Sequence, residues 1–307
     1  MTEAAGLLVM AYGTAAGPED VERYYTDIRG GRPPAPELVE ELKGRYEAIG
    51  NTFPLDRITR EQAAGLEAEL NARGRRRWRA FVGYKHSPPF VHETVAGMEA
   101  EGIREAFGIV MAPHFARMSI GGYVDRVRRA NPNRLRIHVI ESWNVHPSFV
   151  EVLSDRVAAA RAALTEAERS NDVVIFSAHS LPARIADEGD PYPDQVRGTA
   201  QAVAERLGLE RWTTAWQSAG RTPEPWLGPS LEEVVAKAAA DGHTAVVSCP
   251  CGFTADHLEV LYDVDIEAAA AAREAGVRLV RTRSMNADPD FIRAVADVVG
   301  DHVEEGS

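Results

Sequence analysis

The sequence predicts an α/β protein of two similar doubly wound domains, each a four-stranded parallel sheet flanked by helices. Apolar runs of strand length alternate with stretches of helical periodicity, the pattern of βαβ units. The runs fall four to each half of the chain. The halves also share their punctuation. In the first, a strand ending Tyr84-Lys85-His86 leads through two prolines to a helix, Glu101-Gly102, another strand and Ala112-Pro113-His114-Phe115. In the second, a strand ending Trp216-Gln217-Ser218 leads through a proline-rich turn to a helix, Asp241-Gly242, another strand and Cys249-Pro250-Cys251-Gly252-Phe253. The expected domains are residues 1–145 and 146–307, with a cleft between the C-terminal ends of their strands.

The first strand, Gly6–Met10, is a continuous apolar run ending in a Gly13-Thr14 turn, as a strand buried on both faces should be. Arg79–Tyr84 is the second, and Pro89–Ala106 behind it carries helical periodicity. Phe107–Met111 and Leu135–Ile140 complete the first set. Val173–Phe176 opens the second set with a β-branched run that stops at Ser177-Ala178-His179-Ser180-Leu181-Pro182. Thr213–Trp216 follows, then a helix over Pro229–Asp241, then strands Thr244–Ser248 and Val277–Val280. A last helix, Asp288–Val299, could belong to either domain.

Bulk properties narrow the function classes. A chain of 307 residues with 45% hydrophobic and 26% charged residues can bury an ample core. Its net charge of −12 argues against nucleic-acid or anionic-membrane partners. No apolar stretch approaches the roughly 20 residues of a transmembrane segment, and the short N-terminal apolar run lacks the basic start of a signal peptide. A cytoplasmic protein is expected. Cys249 and Cys251 are too few for an iron–sulfur cluster or a structural zinc and read as packing residues at a strand end. The basic run Arg73–Arg79 precedes a strand in an acidic chain and reads as surface. No glycine-rich phosphate loop follows any strand, which removes most support for a nucleotide site.

In open α/β sheets, ligands bind beyond the carboxyl ends of the strands. This chain places Tyr12, Lys85, His86, His114, His179 and Gln217 there, drawn from both halves. Beside them stand Glu259, Asp263 and Glu267, spaced i, i+4 and i+8. On one regular α-helix they would form an acidic row about 12 Å long at a 1.5 Å rise per residue. Like charges so placed repel, and no lysine interrupts them. The row suggests a device that attracts and passes on cations or protons, and its bland alternative is a solvated helix face. His257, two positions before Glu259, should point away from the row, about 200° around the helix.

These pieces resemble the ferrochelatase family, closest to the Gram-positive, coproporphyrin-using type. The matching segments are Gly6–Thr14, Glu22–Arg29, Arg45–Gly50, Ala112–Phe115, Ser177–Pro182, Gly189–Gln195, Trp216–Ser218, Thr222–Pro229 and Asp256–Asp263, in order over nearly the whole chain. The resemblance implies two Rossmann-like domains in the chelatase fold. It implies insertion of Fe²⁺ into a porphyrin, with coproporphyrin III the expected substrate and coproheme the product, in haem biosynthesis. By matching motif, His179 is the catalytic histidine and Glu259 its carboxylate partner. Asp263 and Glu267 continue the metal-handling row, and Tyr12 faces the metal from the other side of the macrocycle. Arg29, Arg45 and Tyr123 would meet the propionates, with Lys85 and His86 lining the pocket. Phe53 replaces a serine the family commonly uses on a propionate, so Thr52 is the candidate substitute. The resemblance further implies ferrous iron as substrate rather than resident cofactor, and the two cysteines do not fit the iron–sulfur cluster that some members of the family carry. A monomer and a transient hand-over of product to a downstream haem-pathway enzyme are expected.

The chemistry of these residue types agrees. Metallation removes two pyrrole protons while a hydrated cation sheds its water. A neutral imidazole titrating near 6.5 is suited to accept a proton near neutral pH. Carboxylates and imidazole suit a borderline divalent ion in transit. Arginine pairs a carboxylate through a planar fork. The alternatives are the same reaction on protoporphyrin IX, a chelatase for sirohydrochlorin, and a non-catalytic metal- or haem-binding protein built from two lobes around a cleft.

Overall fold

The computed structural model describes residues 4–131 and 135–305. The first half contains strands β1 (Ala5–Ala11), β2 (Trp78–Tyr84), β3 (Glu105–Val110) and β4 (Arg136–Ile140). Helices α1 (Val21–Ile28), α2 (Pro36–Ala48) and α3 (Leu55–Ala72) lie between β1 and β2, followed by α4 (Val91–Ala100) and α5 (Ile120–Ala130) in the later crossovers. Helices α6 (Pro147–Ala162) and α7 (Glu166–Ser170) lead into the second half, whose strands are β5 (Asp172–His179), β6 (Trp212–Gln217), β7 (Ala245–Cys249) and β8 (Arg278–Arg281). Its helices are α8 (Arg184–Asp187), α9 (Tyr192–Leu207), α10 (Leu231–Ala240), α11 (Leu258–Leu261), a π-helical segment Asp263–Ala268, α12 (Ala269–Ala275) and α13 (Pro289–Glu305).

Both sheets are wholly parallel, and they share one strand order: β2-β1-β3-β4 and β6-β5-β7-β8. The two-sheet α/β architecture expected from the repeated punctuation is present. β1 and β5 take the central places because they are apolar on both faces. Every residue of β1 is buried, and β5 is buried up to its last residue, His179.

Two boundaries differ from expectation in ways that bear on the site. β5 does not stop at Phe176, because its ladder with β6 continues to the pair His179–Gln217. The imidazole therefore stands on the last rung of a sheet rather than on a loop. The helix expected over Pro89–Ala106 ends at Ala100, where Gly102 turns the chain at φ +83° into β3. The apolar periodicity ran on because Ile103 and Ala106 enter the same core as Val95 and Met98.

Helix α13 spans the seam between the halves. Its buried face of Phe291, Val295 and Val299 lies in the main core, and it packs against both α3 and α6. Arg156 of α6 pairs with Asp288 and Asp290 at its start (3.0 and 2.8 Å), and Arg73 reaches Asp297 at 2.9 Å. The run Arg73–Arg79 is largely paired with carboxylates, Arg76 with Glu105 at 2.6 Å and Arg79 with Glu101 among them. A separate small core matters more for function. Val21, Tyr24, Val39 and Tyr46 of α1 and α2 pack with Ala15 and with Leu258 of α11. Two helices from the first half thereby form a roof over the strand mouths of the second.

Candidate active site

Between the two sets of strand ends lies a cleft of about 1740 Å³, larger than the ~300–1,000 Å³ of most small-molecule sites. Tyr12, Lys85, His86 and Tyr123 line it from the first half and His179, Glu259, Asp263 and Glu267 from the second, while Arg29 and Arg45 reach in from the roof. Gly13 makes the turn behind Tyr12 at φ +93°, and a Cβ there would sit 2.4 Å from the Ser87 hydroxyl oxygen. That position admits only glycine.

The second-half wall centres on a carboxylate between two histidines. His179 Nε2 lies 3.5 Å from Glu259 Oε1, and His257 Nε2 lies 3.4 Å from Glu259 Oε2. Each imidazole turns its other nitrogen to a backbone carbonyl: His179 Nδ1 donates to Ser180 O, and His257 Nδ1 to Ala255 O at 2.9 Å. The main chain beneath is fixed too. Tyr192 donates to the His179 carbonyl at 2.9 Å, and Gln217 Nε2 donates to the Glu259 carbonyl at 2.7 Å.

Burial pushes the His179 imidazole down, but the Glu259 charge and hydrogen bond outweigh it, helped by the Ser180 carbonyl and Asp263, and hold it at about 9. Burial would raise Glu259, yet contacts with His179 and then His257 keep it well below the usual carboxylate range. The pair is therefore an imidazolium–carboxylate pair at neutral pH. This corrects the expectation of a neutral imidazole titrating near 6.5. His257 is also a correction, since it faces Glu259 instead of pointing away. It is the extended residue before α11, so the angular spacing of a helix does not apply to it.

The acidic row survives, but not on one regular α-helix. The Tyr262 carbonyl accepts from both Ile266 N–H and Glu267 N–H (3.0 Å each), the widened turn of a π-helix. Nor is the row an open series of carboxylates. The Asp263 side chain is 2% exposed, while that of Glu267 is 47% exposed. Arg45 Nη2 bonds Asp263 Oδ1 and lies 3.9 Å from Glu267, and the Ser218 hydroxyl donates to Asp263 Oδ2. The counter-charge missing from the row's own helix comes from α2, some 200 residues away in sequence. Arg45, expected on a propionate, is thus engaged with Asp263. Burial, only partly offset by Arg45, pushes Asp263 up to about 6.

The first-half wall behaves differently. Lys85 is buried, with Nζ donating to the carbonyls of Met118 and Ser119 (3.3 Å each) and lying 5.2 Å from the Tyr123 ring centre. Burial, then the nearby Arg126 charge, pulls it down to about 8. His86 Nδ1 meets Asp27 at 2.7 Å, yet burial dominates and holds the imidazole at about 4. Tyr12 tilts over His86 with ring centres 4.5 Å apart. Burial within the cleft, then the Glu259 charge, raises its hydroxyl above the usual tyrosine range, and burial does the same to Tyr123. Arg29 is exposed, its guanidinium 6.0 Å from the Tyr25 ring. Thr52 is exposed, donates to the Ile49 carbonyl at 3.2 Å and is not among the residues lining the cleft.

The residues singled out from the sequence, Thr52 apart, converge on this cleft. Sequence reasoning passed over Asp27, Arg126, Ser218 and the true position of His257. Asp27 and His257 lie inside segments that carried the resemblance, and a search for charged residues adjoining those segments would have raised them. Ser218 likewise ends the matching segment Trp216–Ser218, and its backbone takes φ +60°. His114 is buried and bonded to Thr199 at 2.9 Å. Cys249 and Cys251 are free and buried, and burial pushes the Cys249 thiol up to about 12.

A family model described as ferrochelatase matches residues 4–303. Among curated relatives, the coproporphyrin III ferrochelatase of Geobacillus sp. (strain WCH70) is 47% identical over 299 residues, covering 96% of both chains. That of Bacillus subtilis (strain 168) is 46% identical over 298 residues, again covering 96% of both. Among solved structures, the cobalt complex of the sirohydrochlorin chelatase SirB from Bacillus subtilis subspecies spizizenii superposes with a TM-score of 0.59 at 11% identity, covering 96% of this chain and 93% of that one. CbiX, a terminal enzyme of sirohaem biosynthesis, gives 0.53 at 14% identity, covering 96% and 98%. At such identities these two show the shared fold alone. The family model and the full-length relatives show more: the chain belongs to the ferrochelatase family.

Proposed function

We propose that the protein inserts Fe²⁺ into coproporphyrin III to give coproheme, with His179 and Glu259 as the catalytic pair. The observation that carries this reading is the 3.5 Å approach of His179 Nε2 to Glu259 on the cleft wall opposite Tyr12, in a member of the ferrochelatase family. Metallation takes one Fe²⁺ and one free-base porphyrin to one metalloporphyrin and two protons. A cation approaching Glu259 weakens its hold on the imidazolium, which loses its proton to solvent, as ligand deprotonation on metal binding requires. His179 Nε2 is then free to take the two pyrrole protons in turn, passing the first to solvent before it accepts the second, and the anchored Nδ1 keeps the ring aimed. On the first-half wall burial keeps the His86 imidazole neutral and the Tyr12 and Tyr123 hydroxyls protonated, so these three side chains bring no charge of their own to the macrocycle.

Arg29, Arg45 and Lys85 around the cleft suit a substrate rich in carboxylates, and the relatives quoted above carry coproporphyrin III in their names. Protoporphyrin IX, with fewer propionates, would leave part of this cationic set unused. The deciding experiment is steady-state kinetics on both porphyrins with Fe²⁺, and with Zn²⁺ as surrogate. A higher kcat/KM for coproporphyrin III is expected, and equal values would overturn the substrate assignment. No helix among the described residues is long and apolar enough to cross a membrane. We place the protein in the cytoplasm as a monomer without a resident cofactor, passing product to a downstream haem-pathway enzyme. Equilibrium sedimentation and iron analysis of the purified protein test the monomer and the cofactor.

A further inference from the structure

The Asp263 carboxylate is the least accessible member of the acidic row, and both its oxygens are engaged. Arg45 holds Oδ1 and the Ser218 hydroxyl holds Oδ2. Ser218 does so from a left-handed backbone conformation, φ +60°, that side chains other than glycine rarely adopt. The guanidinium is further held 4.4 Å over the Tyr262 ring and lies 3.9 Å from Glu267. One arginine therefore covers two of the three carboxylates. Yet Arg45 also lines the porphyrin-sized cleft and remains about a quarter exposed to it.

We propose that Arg45 is a substrate-operated latch on the metal row. In the empty protein it neutralises Asp263 and closes the row to cations. A carboxylate of the arriving porphyrin competes for the same planar fork and draws the guanidinium toward the cleft. Asp263 is then a buried carboxyl group beside Glu259 and Glu267 that has lost its guanidinium partner, an arrangement that a divalent cation relieves. Porphyrin and cation binding are coupled through one side chain, and each strengthens the other by the same factor. The latch explains how the buried carboxylate of the row stays closed to metal until there is a macrocycle to receive it. It rests on the reading of Asp263 and Glu267 as metal-handling residues.

The test uses Mn²⁺, a cation suited to carboxylates, followed by electron paramagnetic resonance. It is titrated into the protein alone and into protein loaded with zinc coproporphyrin, whose centre is already filled, with zinc coproporphyrin alone as the blank for Mn²⁺ held by its propionates. Loading should tighten Mn²⁺ binding at least about fivefold, the lower end of common coupling strengths. Arg45→Gln without porphyrin should bind Mn²⁺ as tightly as loaded wild type, and loading should add nothing further. Equal Mn²⁺ affinity in loaded and empty wild type, or unchanged coupling in Arg45→Gln, would overturn the latch.

A metal-free arm measures coproporphyrin III affinity by fluorescence. Asp263→Asn should tighten it by releasing Arg45, and in the Arg45→Gln background that gain should vanish. If the gain persists in full there, Asp263 acts through simple charge repulsion and the latch is wrong. If the metal-free arm behaves as expected but Asp263→Asn with Glu267→Gln leaves Mn²⁺ affinity unchanged, the row does not handle metal. The latch then falls for lack of anything to guard, while the assignment of His179 and Glu259 stands.

Discussion

The two walls of the cleft carry the same kinds of side chain at the mouths of sheets with the same strand order, but opposite electrostatics. Each presents a histidine touching a carboxylate. His86 meets Asp27 at 2.7 Å and is nonetheless held at about 4, while His179 stands 3.5 Å from Glu259 and is held at about 9. The closer contact belongs to the neutral histidine. What differs is the company: Lys85 and Arg126 oppose a charge on His86, whereas Glu259 and Asp263 both favour one on His179. A histidine's charge at such a site follows from the summed field of its neighbours and its desolvation, not from its nearest partner. One wall is thereby suited to pack a flat apolar macrocycle and the other to move ions.

The sharpest way to break this contrast is to remove the ionic wall. His179→Ala should lower turnover by roughly 10²–10⁴-fold, the usual contribution of positioned proton transfer, while porphyrin affinity measured by fluorescence stays close to wild type. A variant keeping half its activity would refute the assignment. Glu259→Gln should fail comparably, and NMR titration should show the His179 imidazole falling from about 9 toward its ordinary 6.5. An unmoved titration would mean that Glu259 does not set the charge of this wall.

The pH dependence follows with a definite sign. Because the folded His179 lies above its ordinary value, its proton must leave before Nε2 can act, so kcat/KM for the metal should rise with pH up to about 9. The same shift stabilises the fold fully below about pH 6.5, and that contribution is lost as pH rises through about 9. The thermal-midpoint gap between wild type and His179→Ala should therefore narrow over that window. A flat kinetic profile would argue that His179 is already neutral.

Smaller effects sharpen the picture. Arg45→Ala should raise KM for coproporphyrin by roughly tenfold, the value of one hydrogen bond to a charged group, with less change in kcat. Glu267→Gln, half exposed at the outer end of the row, should leave saturated turnover near normal and raise the Zn²⁺ concentration needed by a few-fold, on the order of one exposed charge contact. Thr52→Val should change porphyrin KM by less than about twofold, since an exposed substitution away from a site is close to neutral. A large effect of Thr52→Val would return that residue to the substrate contacts.

By itself the sequence determined the architecture and which polar residues stand at the strand mouths. Continuous apolar runs such as Leu7–Met10 and Val173–Phe176 can bury both faces only at the centre of parallel sheets. The polar residues that interrupt those runs then fall at strand mouths. Such readings succeed because they depend on local periodicity and on motifs within a few residues. Tertiary structure decided everything that joins distant segments. Arg45 and Asp263, Ser218 and Asp263, and Asp27 and His86 meet across 218, 45 and 59 residues, and no spacing rule connects them. His257 faces Glu259 because it is an extended residue ahead of α11, where the angular spacing of a helix does not apply. The charge on His179 was misjudged because a pKa is the sum of desolvation and every nearby charge, and those distances exist only once the chain has folded.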